Sequence, residues 1–152
     1  MHNIKSSIFI KAPKELVFSV IKDMHSYPTF MNYVKNIDVT KISDDEFISN
    51  WAIDIEGADI EWEERDVFNE KKGEMLFNMI KGDYGNYYGT WVIKSINGKI
   101  ELSIDLYVDW HISSFEKIIG PTLECKTRKV IRGMLTAIKL RSQRICEKRI
   151  EK

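Results

Sequence analysis

Ile100-Glu101-Leu102-Ser103-Ile104-Asp105-Leu106-Tyr107-Val108-Asp109-Trp110 is the stretch on which the fold turns. Ile100, Leu102, Ile104, Leu106, Val108 and Trp110 fall on one side of an extended chain, and Glu101, Ser103, Asp105 and Asp109 fall on the other. A period of two with one apolar face predicts a strand of an antiparallel sheet, packed on one side and wet on the other. Beyond Gly120-Pro121 the period lengthens. Leu123, Thr127, Val130, Ile131, Met134, Leu135, Ile138 and Ile145 form one stripe of a long helix, and Lys and Arg fill most of the rest. The economical partner for that stripe is the apolar face of the sheet.

Read backwards from Ile100, the same two-residue period recurs. Asn97-Gly98-Lys99 has the composition of a hairpin connection, and so does Asn69–Gly73. Tyr87, Gly89, Trp91 and Ile93 alternate with Tyr88, Thr90 and Lys94, while Met75 to Ile80 is nearly continuous in apolar character. Ile60, Trp62, Glu64, Asp66 and Phe68 share a face opposite Glu61, Glu63 and Arg65. Phe47, Ser49, Trp51, Ile53 and Ile55 do the same opposite Asn50 and Asp54. At the N-terminus Ile4 to Lys11 alternates as a strand, and Pro13 opens a helix with Leu16, Val17, Val20 and Ile21 on its stripe. Residues Ser26 to Tyr33 read as a second short helix. The fold class is α+β, with residues 1–152 expected to form one domain.

Composition narrows the classes of function. Hydrophobic residues make up 43% and charged residues 30%, as in ordinary globular proteins. No apolar run reaches the roughly 18 residues that span a bilayer. Met1-His2-Asn3-Ile4-Lys5-Ser6-Ser7 lacks the apolar core of a signal peptide, so a cytoplasmic location is expected. Cys125 and Cys146 lie 21 positions apart on the predicted helix. That separation is roughly 30 Å at the helical rise, far beyond disulfide reach. No Cys/His cluster points to a metal, and Gly82, Gly85 and Gly89 do not form a phosphate loop, so no cofactor is expected. His2, His25 and His111 are scattered, with His111 beside Trp110 at the end of the last strand.

The net charge is zero but unevenly spread: residues 121–152 carry ten Lys/Arg against three Asp/Glu, and residues 1–120 carry thirteen against twenty. A basic helix attracted to an acidic sheet accounts for this. The other reading is a basic surface docking on RNA or a ribosome.

Several stretches together resemble the opening and middle of a known superfamily. They are Ser7-Ile8-Phe9-Ile10-Lys11-Ala12-Pro13, Val17-Phe18, and Ser26-Tyr27-Pro28-Thr29-Phe30-Met31. Trp51, Ile60-Glu61-Trp62-Glu63-Glu64-Arg65, and Gly82-Asp83-Tyr84 through Gly89-Thr90-Trp91 continue the likeness. The chain resembles the START-like, Bet v 1-like (SRPBCC) superfamily, and within it the polyketide cyclase/dehydrase and coenzyme Q-binding group. The resemblance implies a helix-grip fold, in which a curved seven-stranded antiparallel sheet wraps the C-terminal helix and two short helices follow the first strand. It also implies an interior cavity for a lipid, quinone or polyketide, and in some members cyclisation and dehydration of a poly-β-ketone. The arginine that cyclases of this group carry in the cavity aligns with Asp66, and Arg65 stands one residue earlier. Their tyrosine after the second helix aligns with Val34, and Tyr33 stands one position off.

Glu64 and Asp66 are the candidate catalytic residues. Two carboxylates at i and i+2 on a strand face lie roughly 7 Å apart, and partial burial raises at least one pKa. Such a group suits a general base that takes a proton α to a carbonyl. The alternative is a strand twist that leaves both at the sheet rim or paired with the basic helix. Trp51, Trp62, Phe77, Tyr87 and Trp91 form a candidate pocket lining, with Tyr33 near the second helix. Met79, Leu106, Met134 and Ile138 complete the candidate ligand contacts. The same side chains also suit a plain core. The expected function is therefore binding of an apolar or aromatic small molecule, with a cyclase/dehydratase enzyme and a ribosome- or RNA-associated protein as the alternatives.

Overall fold

The computed structural model describes residues 1–55, 57–110 and 116–151; for 116–121 and 151 it describes the backbone alone. Seven strands form one antiparallel sheet in the order β1-β7-β6-β5-β4-β3-β2. They are β1 (His2–Ile10), β2 (Val34–Lys41), β3 (Glu46–Ile55), β4 (Ala58–Asn69), β5 (Glu74–Gly82), β6 (Asn86–Ile96) and β7 (Lys99–Asp109). Helix α1 (Lys14–Lys22), a 3₁₀ turn (Met24–Ser26) and α2 (Tyr27–Phe30) link β1 to β2, and α3 (Glu116–Glu151) ends the chain. This is the helix-grip arrangement.

The alternation in the sequence sets the inner and outer faces. On β7, Leu102, Ile104, Leu106 and Val108 are buried. On α3 the predicted stripe is the buried one: Thr127, Val130, Ile131, Met134, Leu135 and Ile138 point into the core. The helix begins at Glu116, earlier than the sequence suggested, so Gly120-Pro121 lies inside its N-terminal part. The predicted second helix shrinks to the four residues of α2, because Met31 has already turned to an extended conformation. His111 lies outside the described residues.

Local chemistry sets the register. The β6–β7 hairpin closes through Asn97 and Gly98, both with positive φ (51° and 80°), between the paired residues Ile96 and Lys99. Two left-handed residues make a turn whose twist matches the strands, which is why Asn-Gly stands there. On β5, Glu63 opposes Lys81 while Glu64 opposes Met79, so Ile80 is an extra, unpaired residue. This β-bulge resets the alternation of β5. Met75 and Phe77 point inward, and without the bulge Lys81 would follow them. Instead Lys81 lies on the outer face, 3.7 Å from Glu63.

The bulge is on β5, so β4 keeps an unbroken alternation. Trp62, Glu64, Asp66 and Phe68 are all buried, and Arg65 is on the outer face, where it pairs with Glu46. The acids of this region meet cations nearby: Lys22 with Asp45, Lys35 with Asp59, and Lys81 with Glu63. No helix among the described residues is long and apolar enough to cross a membrane.

Candidate functional site

Strands β3 and β4 bring two tryptophans face to face. Trp51 pairs with Trp62 across the ladder, and their rings stack 5.3 Å apart at 8°. Tyr84, from the β5–β6 connection, meets Trp62 edge-on at 5.4 Å and stacks on Tyr87 at 5.0 Å. Tyr87 lies 5.1 Å from Trp62 and 5.3 Å from Phe77. Gly82 makes this approach possible. It pairs with Trp62, and a Cβ there would lie 2.4 Å from that of Trp62.

Behind the aromatic wall lie Glu64 and Asp66, 3% and 0% exposed. Trp62 Nε1 donates to Glu64 Oε1 at 2.7 Å. Trp51 Nε1 donates to Ser49 Oγ at 2.9 Å, and Ser49 Oγ donates in turn to Asp66 Oδ2. Both indole N–H groups are thus committed to the carboxylate pair. The two carboxyls are neighbours, and a proton on one of them would let it donate to the other. A Glu64 hydroxyl donating to Asp66 Oδ1 would satisfy that otherwise partnerless oxygen.

Burial sets the charge state. Loss of water, then the neighbouring Asp66 charge, pushes Glu64 well above the usual carboxylate range. Loss of water also pushes Asp66 up, to about 6, against the lowering effect of its bonds to Glu64 and Ser49. No Lys, Arg or His among the described residues forms an ion pair with either acid. The pair therefore holds one proton and about one negative charge near neutrality. The nearby phenols respond to the same field: burial first, then Glu64 and Asp66, raise Tyr27 and Tyr87.

Between this wall and α3 is an enclosed cavity of ≈ 20 Å³, lined by Trp51, Ile53, Ile55, Trp62, Tyr84, Tyr87, Thr127, Val130, Ile131 and Met134. That is about room for one water, whereas a drug-sized ligand needs roughly 300 Å³ or more. The expectation of a ligand-sized cavity is corrected here: the four aromatics fill the volume that the curved sheet encloses. Of the candidate ligand contacts, Trp51, Trp62, Tyr87 and Met134 line the cavity. Phe77, Trp91, Leu106 and Ile138 are buried in the surrounding core, and Met79 is partly buried at its edge.

Tyr33 is not in the interior. It is 36% exposed, and its ring packs in the notch at Gly133 of α3, where a Cβ would lie 2.6 Å from it. Val34, the next residue, takes the inward position at the start of β2.

Four residues of the site were not singled out from the sequence. Ser49 and Thr127 look like ordinary polar positions on apolar faces. Tyr84 lies in a glycine-rich connection with no period. Tyr27, whose hydroxyl donates to the Ile21 carbonyl and whose ring lies 5.6 Å from Trp51, belongs to a helix of four residues. Their roles are set by contacts distant in sequence.

A family model described as polyketide cyclase/dehydrase and lipid transport matches residues 10–139. The chain belongs to that family. Among solved structures, the protein TTHA0849 from Thermus thermophilus matches with TM-score 0.89 at 19% identity, over 95% of this chain and 99% of that one. The Zhui aromatase/cyclase from Streptomyces sp. R1128 matches with TM-score 0.82 at 14% identity, over 94% of each chain. A START superfamily protein from Mycobacterium smegmatis matches with TM-score 0.79 at 14% identity, over 95% of this chain and 99% of that one. At these identities the likeness is one of fold. No functionally curated protein matches the sequence significantly.

Within the family, this member places an acid pair on the inner face of β4 and turns Arg65 outward.

Proposed function

We propose that this family member binds an apolar or aromatic small molecule between the sheet and α3, against Trp51, Trp62, Tyr84, Tyr87 and Met134. The supporting observation is the aromatic-walled cavity itself, which sits where helix and sheet meet and has flexible Met134 on the helix side. A ligand larger than one water enters by displacing Met134 and its neighbours on α3, since an unbranched thioether repacks at little cost. The test is tryptophan fluorescence during titration with a neutral apolar probe such as hexanol. Saturable quenching that is lost in Met134→Trp, which fills the cavity, is the expected result. No saturable response from the parent protein would refute the reading.

A second reading is an enzyme of cyclase/dehydratase type. It is favoured by the buried acid pair, in which burial raises Asp66 to about 6, into the range of a general base. Asp66 in its ionised form would accept a proton α to a carbonyl, and Glu64 would return one to the product. Exchange of α-protons of a β-diketone in deuterated buffer, abolished in Asp66→Asn, tests it.

A further inference from the structure

We propose that the cavity is a site for an apolar amine, bound as its ammonium ion with the alkyl part toward α3. This rests on the small-molecule reading above and names the class of ligand.

Three independent features of the wall select a cation. The first is the aromatic box: Trp51, Trp62, Tyr84 and Tyr87 line one small space. Aromatic faces carry negative potential and attract an ammonium group most strongly where water is excluded. The two indoles are also fixed in place. Trp62 donates its N–H to Glu64, and Trp51 donates its N–H to Ser49, which donates to Asp66. These bonds fix the indole edges, so both rings stand as rigid walls of the cavity.

The second feature is uncompensated charge. The Glu64–Asp66 pair adjoins the N–H edge of Trp62, with no ion-pair partner among the described residues. A buried charge without a partner is costly, and a cation in the adjoining cavity would offset it. The third is Thr127, which lines the cavity from α3, is 3% exposed, and has no hydrogen-bond partner for its Oγ1. An ammonium N–H would supply one. A hydrocarbon meets none of these three demands, and a carboxylate opposes the first two.

A competing acidic surface is the outer groove lined by Asp38, Glu61, Glu63 and Asp83 with Lys81, and the variants below separate it from the cavity. Glu61 and Glu63 face outward, and Glu63 already pairs with Lys81.

The experiment compares three probes of one chain length at pH 7: hexylamine, hexanol and hexanoate. Each is titrated by calorimetry and by tryptophan fluorescence into the parent protein and into Asp66→Asn and Thr127→Val. Hexylamine is expected to bind at least about tenfold more tightly than hexanol, with hexanoate weakest. The amine-to-alcohol ratio should fall to within about threefold in Asp66→Asn. Thr127→Val, which removes one acceptor and leaves the acid pair intact, should lower the same ratio by a smaller factor; it remains informative if Asp66→Asn does not fold. If hexanol binds as well as hexylamine, the amine assignment is wrong and the small-molecule reading stands. If the amine preference survives in both variants, it comes from surface acids and the proposal is overturned. If none of the three binds, both readings fall.

Discussion

Raising the pH across the Glu64–Asp66 pair is the sharpest perturbation of this fold. Asp66 titrates near 3.8 in an open chain and near 6 when folded, because burial withdraws water from its charged form. The folded state therefore keeps a proton that the unfolded chain releases. Its stabilising effect is complete below about pH 4 and is lost as the pH rises through about 6. At about 1.4 kcal/mol per pH unit, that interval corresponds to a loss of about 3 kcal/mol. Glu64, raised by the same cause, adds a loss of the same sign. In Asp66→Asn the amide oxygen still accepts from Ser49, and the amide nitrogen donates to Glu64, so the geometry is kept and the charge removed. Urea unfolding of parent and variant between pH 4 and pH 7 measures the effect. Titrations elsewhere in the chain cancel in the comparison, and the parent should lose about 3 kcal/mol more than the variant. Parallel curves, within about 1 kcal/mol over the whole range, would refute the buried, cation-free placement of Asp66.

Two substitutions test the frame around the site. Ile138→Asp places a carboxylate where the parent side chain is 1% exposed. It should cost at least about 4 kcal/mol or prevent folding, whereas a variant within about 0.5 kcal/mol in urea would mean that α3 presents another face to the sheet. Gly89→Ala adds a Cβ 2.2 Å from the Asp105 carbonyl oxygen and 2.7 Å from the Phe77 ring, and a backbone carbonyl in a ladder cannot step aside. A loss of at least about 2 kcal/mol is expected, and a neutral result would contradict the β6–β7 register.

Local pattern by itself determined most of the strands, the long helix and, where the period was clear, their buried faces. Inside and outside on Ile100 to Trp110, on Ile60 to Phe68 and on the stripe from Thr127 to Ile138 depend only on periods of two and 3.6 along the chain. The same alternation was enough to turn Arg65 outward and Glu64 and Asp66 inward, because β4 carries no bulge of its own. What only the tertiary structure decided depends on residues far apart in sequence. The bulge at Ile80 keeps Lys81 off the inner face, and no period in Met75 to Ile80 announces it. Ser49 is joined to Asp66, Thr127 is left without a partner, and Tyr84 is folded onto Trp62 by three separate elements. The size of the cavity is decided the same way. It is the small difference between the volume a curved sheet encloses and the volume four aromatic rings fill, and neither volume can be read from a strand taken alone.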